Sequence, residues 1–167
     1  MNKYSLLIKE KILPAIKEPN IYLLIFVLIG IILRLIWVYD MEWKADEIWT
    51  FLKASESVAN QNLPLFGMNS SIGIPNAGLS LWIFSFFRLF TDTPVGMAQW
   101  VQCLNVIGII IFILVIIIKL PNDKKEYWFW GTVLACVSPL AILFSRKIWP
   151  PDLFPFFTSL FFLSYVY

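Results

Sequence analysis

The chain has 167 residues, of which 59% are hydrophobic, 17% aromatic and 14% charged, and its formal net charge is +2. Soluble domains are near half apolar with about a quarter of their residues charged, so the composition and a mean hydropathy of +0.76 predict an integral membrane protein. The small net charge gives no indication of nucleic acid as a partner, and the absence of histidine excludes a histidine base or metal ligand.

The N-terminal region predicts a surface arm followed by a membrane span. Residues 1–19 carry four lysines and two glutamates among apolar residues, a pattern typical of an amphipathic arm on the cytoplasmic membrane surface. Residues 20–39 are mainly apolar, and a helix of this length reaches about 30 Å, the thickness of the hydrocarbon core. We therefore expect the first transmembrane helix at 20–39.

Residues 40–96 are more polar and predict an outer loop. Within it, residues 46–62 have apolar side chains at helical spacing on one face, which suits a helix lying along the membrane interface. Residues 76–90 are apolar but include Arg88 and are short for a span, so a second interfacial helix is expected there.

The C-terminal half predicts alternating spans and short loops. The expected segments are a second transmembrane helix at 97–118, a basic cytoplasmic loop at 119–127, a third transmembrane helix at 128–145, a second outer loop at 146–152 and the start of a fourth transmembrane helix at 153–167. The apolar C-terminal run has no basic flank, which favours the N-terminal part of a longer protein.

Lysine and arginine collect in cytoplasmic loops, so the N-terminal arm and the lysines of 119–127 are expected inside. The two outer loops then face the same side, with 46–47 in one loop and 146–152 in the other. The sequence thus predicts an all-α, multi-pass helical bundle in the plasma (inner) membrane, with a cytoplasmic N-terminus and interfacial helices in its first outer loop.

Adjacent carboxylates, Asp46 and Glu47, open the first predicted interfacial helix. Acidic residues are common in a first helical turn because the helix dipole favours them, so a purely structural role is the simpler explanation. Successive helix residues point about 100° apart, however. One carboxylate can therefore act as a base while the other binds a neighbour.

Basic groups near the outer face are the second candidate feature. Arg34 lies within the first predicted span, where an unpaired charge is costly, so we expect an acidic partner such as Asp40, Asp46 or Glu47, or an anionic ligand. Snorkelling of its long side chain to the interface is the alternative. Guanidinium and ammonium groups clamp phosphate well, as Arg146 and Lys147 could.

Asp152 follows Pro150 and Pro151, and this carboxylate could serve an acceptor or a metal ion. Proline and aspartate also start helices, which is the simpler explanation. A divalent metal held by Asp46 and Asp152 stays open, and no other cofactor is indicated.

Three segments resemble the GT-C superfamily, polytopic glycosyltransferases that use polyprenyl-phosphate sugars, and its protein O-mannosyltransferase and aminoarabinose-transferase branch in particular. They are "RLIWVYDMEWKADE" (34–47), "GIPNAGLSLWIFSFFRLF" (73–90) and "SPLAILFSRKIWPPD" (138–152). The middle segment departs from the family, because it has "IPNAG" where members usually carry "KPP" or "PPL".

The resemblance implies an inverting glycosyltransferase whose partners are a polyprenyl-phosphate sugar donor, a protein or glycolipid acceptor and membrane lipids. Asp46 would be the base that activates a hydroxyl or amine acceptor, Glu47 its companion and Asp152 the second acidic site. Arg34, Arg146 and Lys147 would bind the donor phosphate. Members carry about a dozen spans, so we expect these 167 residues alone to be inactive. A transporter or channel subunit and a non-catalytic membrane anchor are the alternatives.

Overall fold

The computed structural model describes residues 19–37 and 39–166, and this part of the chain is mostly helical. The predicted arm at 1–19 falls almost wholly outside the described residues. The elements in chain order are α1 (Pro19–Leu35), α2 (Ala45–Ala59), β1 (Phe66–Asn69), β2 (Pro75–Ala77), α3 (Leu79–Arg88), α4 (Pro94–Lys119), α5 (Asn122–Val137), α6 (Pro139–Phe144), a 3-10 helix (Pro150–Leu153) and α7 (Phe154–Val166).

Helix α4 is the central element, and two separate hydrophobic clusters pack against its two halves. Near its N-terminal half, Met97 and Val101 pack with residues of α2, α3 and the 148–153 segment. Near its C-terminal half, Ile116 and Ile117 pack with residues of α1 and α5. Helix α4 therefore connects the two parts of the fold that contribute the candidate site.

The start of α4 is well defined by its sequence. Thr93 is the N-cap, its Oγ1 accepts a hydrogen bond from the Gly96 N–H at 3.1 Å, and Pro94 occupies the first helical position. Proline suits that position because its missing N–H would have no partner there in any case. The helix covers the segment predicted as the second span and begins three residues before it.

The prediction of a polytopic membrane bundle is wrong. Within residues 19–37 and 39–166, only α4 is both long and apolar enough to cross a membrane. Its 26 residues span about 39 Å at 1.5 Å per residue, more than the roughly 30 Å of the hydrocarbon core. The structure therefore supports one candidate crossing helix and neither four spans nor a multi-pass topology.

The first and third predicted spans contain helices too short to cross a membrane. Helix α1 has 17 residues and ends at Leu35, after which Trp37 adopts a positive φ of 56°. The segment at 128–145 is divided at Ser138, since α5 ends at Val137 and α6 begins with Pro139. Helix α7, whose 13 residues span about 20 Å, occupies the segment predicted as the start of a fourth span.

The outer-loop region contains a feature that the sequence analysis did not predict. Strands β1 and β2 form an antiparallel hairpin in which Phe66 pairs with Ala77. The turn includes Gly73, whose φ of +80° favours glycine. Helix α2 lies in the first predicted interfacial segment and α3 in the second.

Candidate functional site

The site is built around a cleft of about 830 Å³ that α4, α5, α6 and α7 enclose together with the 3-10 helix. Its wall is largely apolar, with polar positions supplied by Arg34, Asn105, Thr132 and Asp152 among others. Known ligand cavities of this size are commonly lined by apolar side chains with a few well-placed polar groups. The cleft brings together one predicted basic residue and one predicted acidic residue from opposite ends of the chain.

Asp152 is the carboxylate in this wall, and its side chain is buried. The 3-10 helix that carries it begins with Pro150 and Pro151, and its backbone is fixed by a hydrogen bond from the Asp152 N–H to Trp149 O at 3.0 Å. Asn105 of α4 also donates to the Asp152 carbonyl at 2.9 Å. Within the described residues, Asp152 Oδ2 has no hydrogen-bond partner.

Burial raises the pKa of Asp152 to about 8, because the charged form is poorly solvated. The Lys147 ammonium lowers this pKa, the neighbouring Glu47 carboxylate raises it, and a backbone hydrogen bond from Trp149 lowers it. Near neutral pH the carboxyl is therefore poised to gain or lose a proton. Glu47 and Lys147 therefore both influence the Asp152 carboxyl electrostatically.

The adjacent acidic residues of α2 have different environments. Glu47 is buried, and its Oε2 accepts a hydrogen bond from the Lys44 N–H at 3.2 Å, so it also caps the start of α2. Asp46 is exposed on the first turn and does not line the cleft. The structure therefore brings Glu47, and not Asp46, towards Asp152.

Arg34 is buried, but its partners are not the acidic side chains that we expected. Its Nη1 donates to Gly30 O at 2.9 Å and also to Cys136 O, and its Nη2 donates to Ala135 O at 3.1 Å. The Nε atom has no partner among the described residues. Arg34 thus contacts the C-terminal end of α5 while its side chain contributes to the cleft wall.

Arg146 and Lys147 form ion pairs with acidic residues before α2. Arg146 is buried, its Nη1 lies 3.1 Å from Asp40 Oδ2, and its Nη2 donates to Leu33 O. Lys147 forms an ion pair with Glu42, and its Nζ lies 4.6 Å from the centre of the Phe144 ring. Asp40, one of the acidic residues considered as a partner of Arg34, therefore pairs with Arg146.

Asp46 and Asp152, the two residues considered for a metal ion, have different environments. Asp46 is exposed whereas Asp152 is buried, and no group of three or more acidic or cysteine side chains suited to a metal ion occurs in the part of the chain that the structure describes.

Asn105 is the residue that the sequence analysis missed. It is buried in α4, and besides Asp152 O its Nδ2 reaches Val101 O at 3.0 Å. The signal was present in the sequence, since an amide within a long, mainly apolar helix calls for a polar partner. Asn105 positions the backbone of Asp152 against α4.

Comparisons with protein-family models, with curated proteins and with solved structures found no match to this chain.

Proposed function

We propose that this protein is a membrane-associated glycosyltransferase that moves a sugar from a polyprenyl-phosphate donor to a hydroxyl or amine acceptor at the outer face of the plasma membrane. The observation that carries the proposal is the buried carboxyl of Asp152 in the wall of a largely apolar cleft, with Arg34 in the same wall and the Lys147 ammonium acting electrostatically on the carboxyl. An apolar cleft suits an isoprenoid chain, and the cations suit its phosphate. Among the helices that the structure describes, α4 is the one candidate crossing helix, and the proposal is made for this arrangement.

In the proposed reaction, the acceptor oxygen or nitrogen attacks the anomeric carbon of the donor sugar. The bond between that carbon and the phosphate oxygen breaks, and the lipid phosphate leaves with the electron pair, so the anomeric configuration inverts. The ionised carboxylate of Asp152 takes the proton that the acceptor loses. The positive charges of Arg34 and Lys147 stabilise the charge that develops on the leaving phosphate.

We assign proton acceptance to Asp152 in preference to Asp46, which the resemblance alone indicated. Asp152 lines the cleft and has a pKa close to neutral, where a general base is most effective, whereas Asp46 is exposed on α2. Glu47 tunes Asp152, because its nearby negative charge raises the pKa of the Asp152 carboxyl. Arg146, which binds Asp40 and Leu33, positions the outer loop in this scheme.

The test is a transfer assay on the full chain reconstituted in lipid nanodiscs. Polyprenyl-phosphate donors with a radiolabelled sugar are supplied, and release of the polyprenyl phosphate and labelling of peptide or glycolipid acceptors are measured. We expect Asp152→Asn to abolish transfer and Asp46→Asn to retain most of it. If Asp46→Asn abolished transfer and Asp152→Asn retained it, Asp46 rather than Asp152 would be the base. Because these 167 residues alone are expected to be inactive, absence of transfer would favour a non-catalytic anchor only if the chain also failed to bind the polyprenyl-phosphate donor.

A second pair of variants tests the cleft itself. Gly131 of α5 lies in the cleft wall, and a Cβ atom there would meet nothing within 4 Å. Gly131→Leu should therefore fill part of the cleft and weaken donor binding without disturbing the fold. The matched control is Leu134→Trp, which adds volume at an exposed position of the same helix outside the cleft wall. Equal donor affinity in both variants would contradict the cleft as the donor site.

A further inference from the structure

The hairpin from Leu65 to Ala77, here called the apolar hairpin, exposes large hydrophobic side chains. Ile72 is 78% exposed, Leu65 74%, Phe66 66% and Ile74 61%. Scattered exposed apolar residues are normal on soluble proteins, but a contiguous set is typical of a surface that meets a membrane or another protein. The apolar hairpin therefore needs an environment other than water.

The sequence around the apolar hairpin favours lipid as that environment. No Asp, Glu, Lys or Arg occurs between Glu56 and Arg88. Protein interfaces usually have a polar and charged rim, whereas a neutral surface rich in aliphatic and aromatic side chains suits the region between lipid headgroups and acyl chains. The hairpin tip also offers only small polar groups, Ser70 and Ser71, beside Ile72.

The apolar hairpin is held rigidly against α3. Gly78 N–H donates to Leu65 O at 2.9 Å, and Trp82 Nε1 donates to Pro64 O at 2.7 Å. A Cβ atom at Gly78 would lie 2.0 Å from Pro64 O, so glycine is required for this close approach. The hairpin is therefore presented at a fixed angle to the helix.

The exposed surface continues from the apolar hairpin along α3 towards α4. Leu79, Trp82 and Phe86 are exposed at spacings of three and four residues, which places them on one side of α3, and Leu89 and Phe90 follow. Helix α4, the candidate crossing helix, begins at Pro94. A bilayer around α4 would therefore lie next to this same surface.

We propose that the apolar hairpin inserts Phe66, Ile72 and Ile74 into the interfacial layer of a lipid bilayer. This inference does not depend on the proposed enzymatic activity. The depth is limited by the backbone, because a two-stranded sheet has open edges whose N–H and C=O groups cannot enter hydrocarbon unpaired. The hairpin therefore lies at the level of the headgroups and the first carbons of the acyl chains.

Fluorescence quenching in vesicles tests this placement. The full chain carries Cys103→Ser, which removes the exposed cysteine and leaves the buried Cys136, and receives one new cysteine labelled with an environment-sensitive dye. The label is placed at Ile72, with Glu56→Cys on the exposed side of α2 as the matched control. The vesicles contain phosphatidylcholine and phosphatidylglycerol with nitroxide lipids, and iodide serves as the aqueous quencher.

We expect the label at position 72 to be quenched by nitroxides near the headgroup, weakly by nitroxides near the chain end and hardly at all by iodide. The label at position 56 should show strong iodide quenching. Strong iodide quenching at position 72 would overturn the proposal. Protection from both quenchers would also overturn it, since protein rather than lipid would then cover the hairpin.

A charge substitution separates insertion from mere proximity. With the label on Asn69→Cys, an exposed strand position, the double variant Ile72→Asp, Ile74→Asp should lose most of the quenching by headgroup-level nitroxides and gain iodide quenching. The substituted side chains are exposed, so the hairpin pairing should persist. Unchanged quenching in the double variant would show that these side chains do not insert.

Discussion

Arg34 Nη2 lies 3.1 Å from the carbonyl oxygen of Ala135, an oxygen that the helix leaves without its usual partner. In a continuous helix this carbonyl would accept from the N–H of residue 139, but residue 139 is proline and has none. Arg34 also donates to the next carbonyl, that of Cys136. The guanidinium thus completes the C-terminal end of α5 where Ser138 and Pro139 interrupt it.

This relationship predicts that Arg34→Ala destabilises the protein. The substitution removes hydrogen bonds from a charged group worth about 1.5–3 kcal/mol each and leaves buried carbonyls unpaired, so we expect a loss of about 3 kcal/mol in the free energy of unfolding. Denaturant unfolding in detergent measures it. Lys53→Ala, which removes an exposed ion pair with Glu56, is the control and should change the free energy by less than about 1 kcal/mol. Equal effects would contradict the role of Arg34.

Substitution of glycine by alanine should have opposite effects on stability at Gly30 and Gly131. A Cβ atom at Gly30 would lie 2.7 Å from Cys136 O, so Gly30→Ala should push α1 away from α5 and destabilise the fold by about 1–3 kcal/mol. At Gly131 nothing lies within 4 Å, so Gly131→Ala should stabilise α5 by about 0.5–1 kcal/mol. Thermal unfolding of both variants is the measurement, and a stabilised Gly30→Ala would contradict the close packing of α1 and α5.

The raised pKa of Asp152 predicts a pH-dependent contribution to stability. The unfolded carboxyl ionises near pH 3.8, whereas the folded one ionises at about 8, so between these values the folded state holds the extra proton. Stability should therefore fall as pH rises across this window, by up to about 1.4 kcal/mol per pH unit, and level off above it. Relative to wild type, Asp152→Asn should gain stability from pH 5 to pH 8.

The control for this titration is Asp92→Asn, since Asp92 is an exposed partner of Arg88. Its stability difference from wild type should stay nearly constant over the same pH range. If the difference between Asp152→Asn and wild type were equally flat, burial would not raise the pKa of Asp152 in the folded protein.

Asn105→Ala is expected to loosen the segment that carries Asp152. It removes hydrogen bonds to Val101 O and Asp152 O, and we expect a loss of about 1–3 kcal/mol in the free energy of unfolding. If Asn105 has only a structural role, Asn105→Ala should lower the free energy of unfolding by the same amount at every pH. If Asn105 positions Asp152, the substitution should also weaken the pH dependence of stability attributed to Asp152. The same pH series, run on Asn105→Ala and on the double variant with Asp152→Asn, distinguishes the two roles.

If transfer is observed, its pH profile should report Asp152. Only the ionised carboxylate accepts a proton, so kcat/KM should rise with pH and level off above about 8, the pKa of this group. Glu47→Gln removes the negative charge that raises this pKa, so the profile should move to lower pH. A profile unaffected by Glu47→Gln would contradict the proposed tuning.

Several elements could be predicted because their signals are local. The long apolar run at 97–118 predicts most of α4, which begins three residues earlier at Pro94, and the apolar spacing within 46–62 predicts most of α2. Hydropathy alone could not show that α1 ends at Leu35, because that end depends on the backbone at Trp37. Nor could it show that Ser138 and Pro139 divide the apolar segment at 128–145 into two short helices.

The candidate site was predictable in its residue types but not in its pairings. The sequence shows that Arg34, Glu47 and Asp152 are unusual in their surroundings, yet it cannot show which of two adjacent carboxylates is buried. That choice depends on how α2 packs against the loop before α7. The partners of Arg34 could not be predicted either, because they are backbone carbonyl groups, which every residue type carries.

The length of α4 has a mechanical consequence in a membrane. If α4 crosses a membrane, a difference between the length of its apolar stretch and the hydrocarbon core of roughly 30 Å would be accommodated in part by tilting, and the tilt would follow bilayer thickness. Asn105 binds the Asp152 segment to α4, and a Cβ atom at Gly108 would lie only 3.0 Å from the Phe156 Cα of α7. The cleft wall must therefore move with α4, so that lipid thickness would set the height at which the Asp152 carboxyl meets an incoming acceptor.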